Sequence, residues 1–156
     1  MKVLASLALL ALVNYAYAAD TTVVKSCHDA LLPEVKVTID NTVCAEGPCV
    51  VGTGSDVSVM VSFDTPVKLE HIKAKFVASG SSGDIEIPLD QDDACVGIVN
   101  TKCPVAANDH VDYEYTTVLD EEYPEGDATV TITLLDEDND DAEVICFSLD
   151  ISIKNS

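Results

Sequence analysis

Six cysteines are the residues in this sequence whose chemistry is most easily interpreted. They occupy positions Cys27, Cys44, Cys49, Cys95, Cys103 and Cys146. An even number of cysteines in a short chain that carries a secretory signal is typical of a disulfide framework. Zinc binding is a weaker interpretation, because the sequence has no C-x-x-C pair and its three histidines, His28, His71 and His110, are scattered.

The pairing of these cysteines is not selected by the sequence alone, since six cysteines allow fifteen pairings. Their spacing narrows the choice. Cys44 and Cys49 enclose the turn-forming tetrapeptide Ala-Glu-Gly-Pro, and Cys95 and Cys103 flank one loop. A bond between the first and last cysteines would tie the start of the domain to its last strand. It would also restrict the unfolded chain most, by roughly 4–5 kcal/mol on the chain-entropy argument.

Carboxylates are the other reactive groups present in number. The acidic run 136–141 suggests calcium binding at first sight. It fits the EF-hand loop poorly, because Asp141 stands where that loop needs glycine and Phe147 stands where it needs glutamate. We therefore expect a solvated hairpin turn at 136–141 and an exposed acidic cluster at 90–93.

No motif in the sequence carries a catalytic mechanism. A G-x-S-x-G elbow, a P-loop and a dinucleotide glycine fingerprint are all absent. Pairs of carboxylates are uninformative here because carboxylates are so abundant. The sequence therefore predicts a protein that is not an enzyme, with no catalytic residue, no metal site and no cofactor.

The charge balance is strongly acidic. The 28 aspartates and glutamates stand against 8 basic residues, all of them lysines, for a formal net charge of −20. Such a surface repels nucleic acid and anionic membranes, and it keeps a protein soluble and monomeric. We expect stability to change in acidic compartments, where protonation relieves the repulsion among carboxylates.

Residues 1–18 have the features of a secretory signal peptide. Lys2 provides the positive charge, residues 3–13 form an apolar segment, and Ala16-Tyr17-Ala18 fits the cleavage rule. The apolar segment is too short to span a bilayer, and no later stretch has the length of a transmembrane segment. We expect residues 19–156 to form one soluble domain in the extracellular space or an endolysosomal lumen.

The elements that must position these residues are strands. Polar and apolar residues alternate over 34–39, 56–63, 84–87, 128–134 and 146–153, and residues 67–79 and 110–120 are strand-like with less strict alternation. A period of two indicates strands that bury one face. Turn signals separate them at 52–54, 80–83, 125–127 and 136–141, and Pro88 marks an edge strand or a bulge. The pattern predicts an all-β fold, a sandwich of two antiparallel sheets.

Several local motifs occur in an order that is hard to obtain by chance. The landmarks are Lys25-Ser26-Cys27, Cys44-x4-Cys49, Gly54 before the strand at 57–63, Ile87-Pro88-Leu89, Cys103-Pro104, Glu122-Tyr123-Pro124, and Cys146 followed by an apolar residue. In this order and spacing they resemble the ML lipid-recognition family, whose members include a soluble cholesterol carrier and the group 2 mite allergens. The resemblance covers residues 24–154.

The resemblance implies a disulfide pattern and a fold. Carried over, the family pattern pairs Cys27 with Cys146, Cys44 with Cys49 and Cys95 with Cys103. The family fold is an immunoglobulin-like β-sandwich whose sheets splay apart at one end. It therefore implies an internal hydrophobic cavity in which an apolar ligand lies between the sheets.

The resemblance also implies a set of ligand-binding residues. Ile87, Leu119 and Tyr123 match the positions that line the cavity mouth in the carriers. Inward positions deeper in the cavity are Val59, Val61, Phe63, Phe76, Val130, Ile132 and Phe147. Ile87 stands where sterol carriers have phenylalanine, and Ile132 and Phe147 stand where they have tryptophan. This smaller, more aliphatic lining suits a fatty acid or another flexible ligand as well as a rigid sterol.

Two classes of function follow from this pattern. The first is a secreted carrier of a sterol, a fatty acid or a similar lipid, with a semiochemical as a variant of the same mechanism. The second is an innate-immune or signalling protein that presents a microbial lipid to a receptor. A lysine cluster at the cavity mouth, which could hold lipid phosphates, would favour this second function. Lys68, Lys73 and Lys75 form the one dense basic group in the sequence. A filled core also explains every apolar residue named, because a period of two does not separate a core from a cavity.

Overall fold

Nine strands carry nearly all the regular structure of the residues described. The computed structural model describes residues 20–28 and 35–155, so the predicted signal peptide lies outside the described residues. The strands are β1 (Lys25–Ser26), β2 (Lys36–Ile39), β3 (Cys49–Gly52), β4 (Asp56–Asp64), β5 (Ile72–Gly80), β6 (Gly83–Ile87), β7 (His110–Val118), β8 (Gly126–Asp136) and β9 (Ala142–Lys154). A short 3-10 helix, Glu137–Asn139, joins β8 to β9.

The strands form two sheets. The larger has the order β1-β9-β8-β5-β6, with β3 also paired to β9, and the smaller has the order β2-β4-β7. The predicted all-β, immunoglobulin-like sandwich is confirmed. Pro88 follows β6, which is an edge strand, as the proline predicted. Within the described part of the chain, no helix is long and apolar enough to cross a membrane.

One pairing departs from the antiparallel pattern. β3 runs parallel to β9, with Cys49 opposite Ile151 and Gly52 opposite Lys154. Parallel neighbours need a crossover connection, and here the chain arrives from β2, which lies in the smaller sheet. β3 and β1 were not predicted, because β3 (Cys-Val-Val-Gly) does not alternate polar and apolar residues and β1 has only two residues.

Alternation positions the side chains as the pattern predicted. On β4, Val61 and Phe63 are buried while Ser62 between them is half-buried. On β8, Val130, Ile132 and Leu134 are buried. The turn predicted at 125–127 is wrong in part, because β8 already begins at Gly126, which lies opposite Ile153 of β9.

The three disulfides are those that the resemblance implied. Cys27 is bonded to Cys146, Cys44 to Cys49 and Cys95 to Cys103. The first joins the residue after β1 to β9, and the second closes the turn that leads into β3. The third lies within the long connection from β6 to β7.

Candidate functional site

The inward side chains of β4 lose their cover toward one end of the sandwich. Phe63 and Val61 are 1% and 0% exposed, whereas Val59 and Val57 are half-buried. The same change occurs along β8, where Leu134 and Ile132 are each 1% exposed and Ala128 is half-buried. The two sheets therefore meet in full contact at one end, here called the closed end, and are less well covered at the other, called the open end.

The closed end is capped by the chain itself. Leu69 and Val105 are 0% and 1% exposed and exchange two backbone hydrogen bonds, of 3.0 and 2.9 Å. Thr65 donates its hydroxyl to the carbonyl oxygen of Ala106 at 2.7 Å. The ends of strands are often frayed and exposed to water. Here the cap covers them, which explains why the core is sealed at the closed end and less well covered at the open end.

Two of the predicted mouth residues lie at the open end. Leu119 and Tyr123 follow β7 in the connection to β8; both are half-buried and pack against the core. The Leu119 carbonyl accepts the Gly54 N–H at 2.7 Å, and the Leu119 N–H donates to the Ser55 carbonyl at 3.2 Å. Gly54 has a φ of +69°, which a residue with a side chain rarely adopts. This turn therefore holds the Leu119 backbone in place.

Ile87, the third predicted mouth residue, lies on the side of the sandwich. It ends the edge strand β6 and pairs with Phe76 of β5. The Phe76 ring contacts the Tyr115 ring of β7 edge-on, with 5.2 Å between centroids. This contact joins the larger sheet to the smaller one beside Ile87. Ile87 is half-buried against the core, as are the other two mouth residues.

Six of the seven deeper predicted residues are buried in the core, and the seventh, Val59, is half-buried. Their exposures are 0% for Val61 and Phe147, 1% for Phe63 and Ile132, 4% for Phe76 and 9% for Val130. They lie between the sheets and belong to one hydrophobic core cluster. A bound ligand among them stays a prediction, and it requires the sheets to part.

Two of the concavities on the surface of the described residues are of a size to note. One, of about 410 Å³, is lined mainly by polar residues of the larger sheet, among them Ser79, Thr129 and Asp150. The other, of about 200 Å³, is called here the side groove. Its lining residues are Asp90, Gln91, Asp93, Val96, Gly97, Tyr113, Glu114, Tyr115 and Thr116.

The side groove lies where a connection crosses from one sheet to the other. Ala94 donates its N–H to the Ile72 carbonyl of β5 at 2.7 Å, and Glu114 of β7 donates its N–H to the Gly97 carbonyl at 2.9 Å. Residues 94–97 therefore cover the gap between the edges of the two sheets toward the closed end. Val96 and Gly97 of this segment line the groove together with residues 113–116 of β7.

Tyr113 and Tyr115 are the functional candidates that sequence reasoning missed. Both point inward from β7 and are 2% and 6% exposed. A Cβ atom added at Gly97 would lie 2.6 Å from Cε2 of Tyr113, so the glycine allows the chain to lie against this ring. The alternation of aromatic residues at 113 and 115 was visible in the sequence, but it did not show how each hydroxyl is partnered.

The lysines do not form a cluster at the mouth. Lys73 and Lys75 alternate with the buried Ala74 and Phe76 on β5, so they point to the outer face of the larger sheet. Lys75 lies 3.2 Å from a carboxylate oxygen of Glu86, and Lys68 pairs with Glu70. Within residues 20–28 and 35–155, no group of three acidic, histidine or cysteine side chains is arranged to hold a metal ion.

Two histidines near the closed end are paired with carboxylates. His71 lies 3.0 Å from Asp138, which forms part of the acidic run, and the hydrogen bond between them raises the pKa of His71 above its usual value. His110 lies 2.8 Å from Asp64 and 3.3 Å from Asp112. Its hydrogen bond to Asp64 raises its pKa in the same direction.

These pairs predict that the fold gains stability as the pH falls. A histidine with a raised pKa stabilises the folded state fully below its unfolded pKa of about 6.5, and this contribution is lost as the pH rises through the folded pKa. We expect the melting temperature to rise between about pH 8 and pH 6. In a His71→Gln/His110→Gln variant the rise should be smaller, and any remainder reports the relief of carboxylate repulsion. An equal rise in both proteins would contradict the role of the histidines.

Comparison with known proteins gives one family match and several similar structures. Residues 21–153 match a family model described as the ML domain. No curated protein gives a match to the chain. The structure of a Niemann-Pick type C2 protein from Japanese carpenter ant is similar, with a TM-score of 0.72 and 18% identity, over 85% of this chain and 99% of that one.

Two further solved structures are similar at lower scores. Chicken MD-1 complexed with lipid IVa has a TM-score of 0.51 and 17% identity, over 83% of this chain and 86% of that one. The C-terminal domain of wzt has a TM-score of 0.54 and 8% identity, over 86% and 78% of the two chains. At these identities each likeness is one of fold.

Proposed function

The chain belongs to the ML domain family, and from that membership we propose that it is a secreted carrier of a small hydrophobic ligand. The ligand, a sterol, a fatty acid or a similar lipid, would lie between the two sheets. The observation that carries the proposal is the unequal cover of the core. Inward apolar side chains are sealed at the closed end and half-exposed at the open end, where Val59, Leu119 and Tyr123 lie.

Burial of apolar surface would drive binding. Each Å² removed from water contributes roughly 25 cal/mol. A ligand that buries about 400 Å² would gain about 10 kcal/mol before the cost of association. Val59, Leu119 and Ile87 offer aliphatic contact, and Tyr123 has one apolar face and one end suited to water.

Binding would require the open end to widen. Just beyond Val59, the inward side chains of Val61 and Phe63 are 0% and 1% exposed, so the sheets must part before they enclose the roughly 300–1,000 Å³ of a ligand site. The connection between β7 and β8 is the element suited to this movement. At Leu119 it is bonded to the β3–β4 turn, and at Gly126 it joins β9 in the larger sheet. A displacement of residues 120–125 would let a ligand reach the inner face of Val59.

The same proposal covers location and assembly. Three disulfides suit an oxidising compartment, either the extracellular space or an endolysosomal lumen. The net charge of −20 favours a monomer. We propose no catalytic role. Presentation of a microbial lipid gains no support, because Lys73 and Lys75 point away from the gap between the sheets.

Native mass spectrometry of the secreted protein tests the carrier function. We expect a fraction of the protein to carry one lipid molecule after gentle purification, and the stripped protein to take up a sterol or a fatty acid in a one-to-one complex. Reduced and unfolded protein is the control for non-specific adducts. The proposal fails if no lipid is co-purified and if a panel of sterols, fatty acids and long-chain alcohols leaves the stripped protein unbound.

A further inference from the structure

We propose that the hydroxyl of Tyr113 holds an uncharged oxygen at the polar end of the ligand, so that the ligand is a neutral amphiphile such as an alcohol, a sterol or a ketone. This inference rests on the proposed carrier function and names the class of ligand. It also gives the ligand an orientation, with its polar end toward the core.

The Tyr113 hydroxyl is buried without a partner. The residue is 2% exposed, and among the described residues its oxygen has no hydrogen bond. Buried side-chain hydroxyls are satisfied in the large majority of proteins, and an unsatisfied one in a native fold calls for an explanation such as a bound ligand. Neighbouring Tyr115, on the same face of β7, is satisfied: its hydroxyl accepts the Asp90 N–H at 3.3 Å.

The position of Tyr113 suits contact with a ligand. It lies opposite Val61 of β4, one inward position deeper than Val59. Its ring is held against Gly97, and the residue lines the side groove. A ligand that enters past Leu119 and Val59 would therefore meet this hydroxyl at the inner end of its path.

The burial of Tyr113 favours a neutral ligand. The ionisable residues of the side groove besides the two tyrosines are Asp90, Asp93 and Glu114, all acidic. Burial raises the pKa of Tyr113, so its hydroxyl stays protonated and can donate a hydrogen bond at neutral pH. A carboxylate bonded to this hydroxyl would lie in low dielectric, with no cation among the residues that line the side groove. An alcohol or ketone oxygen carries no such penalty.

Three ligands of equal chain length test the inference: dodecane, dodecan-1-ol and ionised dodecanoate at pH 7.5, measured by displacement of a fluorescent apolar probe. We expect the wild-type protein to bind the alcohol several-fold to about tenfold more tightly than the alkane, the value of one hydrogen bond. It should also bind the alcohol more tightly than the carboxylate. In Tyr113→Phe the preference of alcohol over alkane should vanish, while the alkane binds as before.

Tyr115→Phe is the matched control and should keep the preference for alcohol. The melting temperature of Tyr113→Phe should equal or exceed that of wild type, because the substitution removes an unsatisfied polar atom. Equal binding of alcohol and alkane by wild type, or tighter binding of dodecanoate, would overturn the inference and leave the carrier function standing. Failure of all three ligands to displace the probe would count against both.

Discussion

Removal of the Cys27–Cys146 disulfide is expected to cause the largest loss of stability of any change considered. In a Cys27→Ala/Cys146→Ala variant, the free energy of unfolding should fall by about 5 kcal/mol. The two cysteines are 119 residues apart. A bond that closes so long a loop removes more conformational entropy from the unfolded chain than a bond that closes a short one. Denaturation in urea at neutral pH measures the change.

The Cys44–Cys49 bond is the matched control. Its cysteines are 5 residues apart, so the same entropy argument assigns to it only about 2 kcal/mol. Removing both sulfurs in each variant avoids free thiols and mixed disulfides. If the short-range bond proves worth as much as the long-range one, the loop-closure account is wrong for this protein, and local packing must dominate.

Substitution of Leu119 by aspartate is expected to cause the largest loss of ligand binding. The side chain is half-buried at the open end and packs against the core, and we propose that a ligand covers the rest of it. Loss of about 2 kcal/mol of apolar contact corresponds to a roughly thirtyfold weaker affinity. An aspartate that a ligand must desolvate should weaken binding further. Fluorescent-probe titration measures the affinity directly.

Val118 provides a control on the adjacent residue. It is 59% exposed at the end of β7, and alternation turns its side chain away from Leu119. Val118→Asp adds the same charge at nearly the same place, so it should bind the probe within about twofold of wild type, since exposed substitutions have small effects. Equal loss of affinity in both variants would show that charge alone, and not the mouth, controls binding.

The long strands could be predicted because each buries one face. The alternation at 56–63 and 146–153 became β4 and β9, and burial follows it in β4 and at 147–149 of β9, whereas Ser152 is buried and Ile151 is half-buried. The short strand β3 was missed because it owes its place to its pairing with β9 and to the Cys44–Cys49 bond. Its four residues carry no periodic signal of their own.

The open end and the core could be predicted only in part. The resemblance named Leu119 and Tyr123, which lie at the open end. The close packing of Phe63, Ile132 and Phe147 was not foreseeable, because alternation is the same for a filled core and for a lined cavity. Nor was it foreseeable that the Tyr113 hydroxyl has no partner among the described residues, since that depends on how residues 94–97 lie against β7.

Two short strands, β1 and β3, cover one edge of β9 and should protect the protein from aggregation at high concentration. β9 is the longest strand, with 13 residues, and an uncovered edge of that length would be a template for aggregation. β1 and β3 both pair with it. Cys49 begins β3 and Cys27 directly follows β1, so a covalent bond fastens each short strand in place. We expect reduction of these bonds to loosen both short strands and to promote intermolecular β-sheet.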